Sequence, residues 1–113
     1  MRTITSHRER NEVVITGCLL QPAEMRYSPA GIPIARALLE HESEQEEAGV
    51  KRWIRFRVGI RASGAPIADQ LTELEVGAKI KVAGMLLRSR QPDADTHPLI
   101  ISIGRLERLP TDS

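Results

Sequence analysis

The sequence predicts an all-β domain: a small closed barrel of five strands with one short helix. Three observations predict it. Residues 51–61 alternate, placing Ile54, Phe56, Val58 and Ile60 on one side of an extended chain and Lys51, Trp53, Arg55 and Arg57 on the other. Further runs of β-forming residues are separated by breaks rich in proline, glycine and acidic residues. Only residues 63–76 carry apolar side chains at helical spacing.

Taken in order, residues 12–20 (Glu-Val-Val-Ile-Thr-Gly-Cys-Leu-Leu) form the first strand, with Gly17 marking a bulge or a sharp bend. Residues 25–27 are a short extended piece, and Ser28-Pro29-Ala30-Gly31 is turn chemistry. The second strand, 34–41, sets Ala35, Ala37 and Leu39 against Arg36, Leu38 and Glu40. Residues 42–49 form a polar, acidic loop leading into the third strand, 50–61. Ser63 is a candidate helix cap, Pro66 suits a first turn, Ile67, Leu71 and Leu74 share a face, and Gly77 stands where a C-terminal cap is expected. The fourth strand, 79–88, points Ile80 and Val82 inward and Lys79 and Lys81 outward. A polar loop at 89–98 precedes the fifth strand, 99–109, where Gly104 marks a bend. The expected division is a flexible N-terminal arm (1–11), the barrel domain (12–109) and a C-terminal tail (110–113).

Three strands, a helix and two strands match the OB-fold, a small Greek-key barrel whose face and loops bind oligonucleotides and oligosaccharides. An SH3-like barrel or an irregular sandwich gives similar strand counts. The first strand is apolar on both sides, with Val13, Ile15 and Leu19 on one and Val14, Cys18 and Leu20 on the other. Burial of both faces in so small a barrel points to a homodimer; the alternative is cover by a loop or the N-terminal arm.

A length of 113 residues suits one domain with a single core. No apolar run approaches the roughly 20 residues that span a bilayer, and residues 1–12 are too polar for a secretory signal. One cysteine, Cys18, excludes an internal disulfide and a Cys-rich zinc site, and it reads as a small core residue. The expected location is cytoplasmic. His7, His41 and His97 lack metal-ligand spacing and read as surface or loop residues. Neither GxGxxG nor GxxxxGK occurs, the loop carboxylates read as solvated, and no catalytic constellation is found. The chain is therefore expected to be no enzyme and to need no cofactor or metal.

The net charge of +1 hides a segregation. Glu40, Glu42, Glu44, Glu46 and Glu47 cluster. Lys51, Arg52, Arg55, Arg57 and Arg61 follow with no acidic residue among them, and Lys79, Lys81, Arg88 and Arg90 form a second basic group. An exposed tryptophan among arginines suits single-stranded nucleic acid, whose bases stack on the ring and whose phosphates pair with the guanidinium groups. The plain alternative is a solvated strand face with Trp53 covered by a neighbouring chain or loop. Only Tyr27, Trp53 and Phe56 are aromatic, so charge must dominate any such binding.

Ser28-Pro29-Ala30-Gly31-Ile32-Pro33, then Leu39-Glu40-His41 and Gln45-Glu46-Glu47-Ala48-Gly49, resemble the primosomal replication protein N (PriB) family, which is related to the single-stranded-DNA-binding proteins. Thr16-Gly17, Val76-Gly77 and Val82-Ala83-Gly84 fit as well, and the resemblance spans residues 12–109. It implies an OB-fold homodimer without catalytic activity that binds single-stranded DNA with little sequence preference. It also implies partnership with the restart helicase PriA and the loader protein DnaT at rebuilt replication forks. The family's tryptophan falls on Trp53, its basic residue before the Ser-Pro turn on Arg26, and its basic last loop on Arg88 and Arg90. The DNA-binding set expected from the residues and the resemblance together is Arg26, Lys51, Trp53, Arg55, Arg57, Lys79, Lys81, Arg88 and Arg90. The chain departs from the family pattern at Glu42, where a basic residue is usual, and at Val50, where an aromatic is usual. The loop at 91–97 also carries two aspartates and no lysine. A divergent general single-stranded-DNA-binding protein and a protein-interaction adaptor on an OB-fold are the alternative functions; a small hydrolase has no supporting constellation.

Overall fold

The computed structural model describes residues 9–89 and 99–110. Its elements are β1 (Val13–Leu19), β2 (Glu24–Tyr27), β3 (Pro33–Glu47), β4 (Val50–Ser63), α1 (Ile67–Thr72), β5 (Lys79–Arg88) and β6 (Leu99–Arg108). The strands run β1-β5-β6-β4-β3-β2, and an additional β1–β3 pairing closes five of them into the OB-fold barrel. The short piece at 25–27 is the sixth strand, β2, an edge strand paired antiparallel to β3. Among the described residues only β4 and β6 pair in parallel.

Closure depends on β1 serving two partners. Val13–Cys18 pair with β5, and Cys18 and Leu19 then pair with Glu40 and Leu39 of β3. The predicted bend at Gly17 lies where the strand changes partner. A Cβ there would stand 2.4 Å from the Glu40 carbonyl oxygen, so β3 approaches this closely only because the side chain is hydrogen. The second predicted bend holds too: Ala83 pairs with Arg105 and Gly84 with Ile103, leaving Gly104 as the unpaired residue of a bulge.

Alternation fills the interior. Leu39 (β3), Ile60 (β4), Ile80 and Val82 (β5) and Ile101 (β6) are fully buried, together with Leu19 of β1. Ala68 and Leu71 of α1 are buried in the same core cluster. The helix is shorter than its apolar spacing predicts, ending at Thr72 with Glu73 as C-cap. Ser63 does not cap it. That residue is held in the β3–β4 ladder opposite Ile34, while the next N–H, of Gly64, donates to the Pro33 carbonyl at 2.8 Å.

The largest departure from expectation is at residues 42–49. The acidic stretch is strand as far as Glu47, and only Ala48 (φ 51°) and Gly49 (φ 80°) make the turn. Two successive positive φ angles suit the twist of a tight hairpin. The β3–β4 pairing runs unbroken from Ile34↔Ser63 to Glu47↔Val50, so the hairpin projects past the barrel as an arm. The aliphatic side of β4 accordingly runs out of core to cover. Val58 and Ile60 are buried, Ile54 is half-buried, and Phe56, expected inside, is 38% exposed.

Candidate functional site

Trp53 stands on the outer side of the arm with 67% of its surface exposed. Residues directly opposite in an antiparallel ladder share a face. Glu44 therefore lies beside Trp53, Glu42 beside Arg55, Glu40 beside Arg57 and Glu46 beside Lys51. The cationic strip and the acidic cluster, distinct in sequence, form one interleaved surface. Arg57 Nε donates to Glu40 Oε2 at 3.2 Å, and an Arg55 terminal nitrogen donates to the same oxygen at 3.4 Å. Arg55 Nε lies 3.3 Å from Glu42 Oε1, and Lys51 Nζ lies 3.7 Å from Glu44 Oε1. Arg52, on the reverse face, pairs with Glu47 at 3.1 Å. The Arg57 hydrogen bond and the nearby Arg55 charge hold the Glu40 carboxyl below its ordinary pKa, against an opposing contribution from desolvation. The basic strip is thus no run of free cations: Lys51, Arg55 and Arg57 beside Trp53 all have carboxylate partners, and so does Arg52 on the reverse face.

The reverse face of the arm is anchored to the barrel. His41 and Phe56, opposite in register, pack with ring centroids 4.9 Å apart. His41 Nδ1 lies 2.7 Å from the Thr16 carbonyl oxygen, and Nε2 lies 2.7 Å from Ser43 Oγ. The carbonyl can only accept, so Nδ1 carries a proton. Far from being a free loop residue, His41 ties β3 to β1 just where the arm leaves the barrel. Cys18, expected in the core, is exposed because its side chain falls on the outer side of β1.

The remaining expected residues are dispersed. Arg26 is exposed on β2. Lys79 and Lys81 are exposed on β5 beside Cys18 and Thr16 of β1, and β6 separates them from β4. Arg88 is exposed at the far end of β5, opposite Leu99. Arg90 lies outside the described residues, as do His7 and His97. The fold therefore brings Lys51, Trp53, Arg55 and Arg57 together and sets Arg26 on β2 and Lys79, Lys81 and Arg88 on β5. It also brings together residues that sequence reasoning passed over. Arg36 of β3 is directly opposite Arg61 of β4, and Glu24 of β2 is opposite Arg36 on its other side. Glu24, Arg26, Tyr27, Ile34 and Arg36 line a surface cleft of about 250 Å³. The signal was present, since Arg36 has the same parity as Glu40 and Arg61 the same as Arg57, but it required the hairpin register.

Residues 11–102 match the sequence family described as "another single-strand binding protein family". Replication restart protein PriB of Proteus mirabilis is 40% identical over 76 residues, covering 67% of this chain and 72% of that protein. PriB of Nitrosomonas europaea is 34% identical over 82 residues, covering 73% and 75%. Among solved structures, priB from Ralstonia solanacearum superposes with a TM-score of 0.76 at 28% identity, covering 89% of this chain and all of that one. The single-stranded DNA binding protein from Thermus aquaticus superposes at 0.71 with 25% identity, covering 89% of this chain and 50% of that one. On these matches the chain belongs to the single-strand-binding family and, within it, to the PriB replication restart proteins.

Proposed function

We propose that the chain is a non-catalytic single-stranded-DNA-binding protein of the replication-restart primosome. It acts in the cytoplasm as a homodimer and links the restart helicase PriA to the loader protein DnaT. The observation that carries the DNA-binding part is Trp53, an exposed indole on a projecting arm in a chain of this family. Its π-face offers a stacking platform to any base, and Lys51, Arg55 and Arg57 flank it for phosphates. Arg26, Lys79, Lys81, Arg88 and Arg90 extend the basic surface. The homodimer is supported by β1, whose outer side exposes Val14 and Cys18. Titrating the protein with oligothymidylate at low salt tests the reading. Trp53 emission should be quenched, and binding should weaken steeply as salt rises. Unchanged emission with no binding at low salt would remove the DNA-binding assignment.

One observation favours a second reading. The carboxylates of Glu40, Glu42 and Glu44 already partner Arg57, Arg55 and Lys51, which lowers the attraction of this surface for a polyanion. The arm then serves mainly as a docking surface for a protein partner. Arg55→Glu with Arg57→Glu separates the two. Loss of DNA binding with helicase stimulation intact supports the first reading, and the reverse supports the second.

A further inference from the structure

We propose that the principal phosphate contact of this protein lies not beside Trp53 but on the barrel wall, where Arg36 and Arg61 stand side by side and Arg26 completes the group. This rests on the single-stranded-DNA reading above and locates the backbone contact within it. Arg36 and Arg61 are directly opposite in the β3–β4 ladder, an arrangement that repels when both residues are cations. On the same face of this ladder Arg55 and Arg57 face Glu42 and Glu40; here an arginine faces another arginine. Arg26 is opposite Ile34, one diagonal step from Arg36. Among the described residues none of the three arginines forms an ion pair, although Glu24 lies opposite Arg36 and lines the same cleft. The Arg61 Nε–H is buried and has no hydrogen-bond partner. A buried donor left unmade is costly, and a turn of the side chain that brings this N–H out to an anion relieves that cost. Arg61 also lies opposite Ser102 on its other side, which supplies no carboxylate. Arg26 and Arg36 against one carboxylate at the cleft, with Arg61 beside Arg36 and Tyr27 exposed, suit a phosphodiester oxygen and an adjacent base.

The test uses the full chain and a fluorescent oligothymidylate across a potassium chloride series. Arg36→Ala with Arg61→Gln should weaken binding at least tenfold at low salt and flatten the salt slope by about 1.4, two phosphate contacts' worth for a single strand. Arg55→Ala with Arg57→Ala should flatten it less. Binding and slope unchanged in the Arg36/Arg61 variant, with wild type binding normally, would overturn the inference and leave the DNA reading intact. If that variant does not fold, Arg36→Ala alone should flatten the slope by about 0.7, and an unchanged slope overturns the inference. A second measurement is independent of DNA: inorganic tripolyphosphate should shift the Arg61 Nε–Hε resonance of the wild-type protein. A shift without oligothymidylate binding keeps the anion site and removes the DNA reading; no shift overturns the site.

Discussion

Arg57 and Arg55 converge on a single oxygen, Glu40 Oε2, from 3.2 and 3.4 Å across the β3–β4 hairpin. A phosphate approaching Trp53 must compete with that carboxylate for both guanidinium groups. Glu40→Gln, alone or with Glu42→Gln, is therefore expected to strengthen oligothymidylate binding at low salt. The salt dependence should steepen, by about 0.7 for each phosphate contact released. Anisotropy titrations at several salt concentrations read both quantities. Weaker binding in the Gln variants would show that the glutamates position the arginines for DNA rather than occupying them.

The same pair gives a pH dependence of defined sign. The Glu40 carboxyl is held below its ordinary pKa in the folded state, chiefly by the Arg57 hydrogen bond. Its contribution to stability is thus fully present above the unfolded-state value and is lost as pH falls through the folded-state value. Urea unfolding of wild type and Glu40→Gln from about pH 7 to about pH 3 should show a difference that is constant at the upper end and shrinks in acid. A difference that grows in acid would contradict the ion pair.

Trp53 has two-thirds of its surface exposed and is absent from the buried core. Trp53→Ala should leave the unfolding free energy within about 0.5 kcal/mol of wild type, as expected for an exposed side chain. The same variant should lose about 1–3 kcal/mol of oligothymidylate binding, roughly five- to 150-fold. Trp53→Phe should recover part of that loss, because a ring remains for stacking. Paired thermal melts and binding titrations make the comparison.

The barrel was legible in the sequence because alternation is local. Ile80 and Val82 point inward and Lys79 and Lys81 outward, as their order along the chain demands. Gly17 marks the bend where β1 changes partner because a Cβ there would strike the Glu40 carbonyl, and Gly104 falls at the β5–β6 bulge, where a Cβ would meet only the Ala83 carbonyl at 3.7 Å. The arm was not legible, since Glu40, Glu42, Glu44 and Glu46 individually favour solvent over sheet. Their partners Arg57, Arg55 and Lys51 lie on the next strand, and pairing overrides propensity. A trace of it was available. Charges of opposite sign are arranged symmetrically about Ala48-Gly49 at alternate positions, as a two-residue hairpin requires. Arg61 escaped notice for a related reason: it reads as one more member of a basic run until register sets it against Arg36 instead of a glutamate.

Gly17→Ala tests the closure of the barrel. The added methyl would fall 2.4 Å from the Glu40 carbonyl oxygen and 2.9 Å from Leu39 Cγ, one a backbone atom and the other a fully buried side chain. Neither can yield without parting β1 from β3. The expected loss is about 1–3 kcal/mol in urea unfolding, with the His41–Thr16 bond weakened as the strands separate. A variant as stable as wild type would mean that β1 closes the barrel less tightly than the structure shows.

The outer side of β1 carries the last prediction. Val14 is 59% exposed, and with Lys81, Ala83, Arg105 and Glu107 it lines a cleft of about 200 Å³. A valine so placed contributes nothing to the monomer's core, whose β1 members are Val13, Ile15 and Leu19. Covered by the same strand of a second copy, it would meet its own symmetry mate, since a two-fold interface uses one patch twice. Val14→Lys then places two ammonium groups at the axis. Sedimentation equilibrium should show the variant as a monomer with an unchanged circular dichroism spectrum, while wild type sediments as a dimer. DNA binding should weaken along with dimerisation, because each dimer presents two Trp53 platforms and one strand spanning both gains by effective concentration. A Val14→Lys dimer would move the interface elsewhere on the barrel, and a wild-type monomer would leave β1 to be covered by another part of the chain.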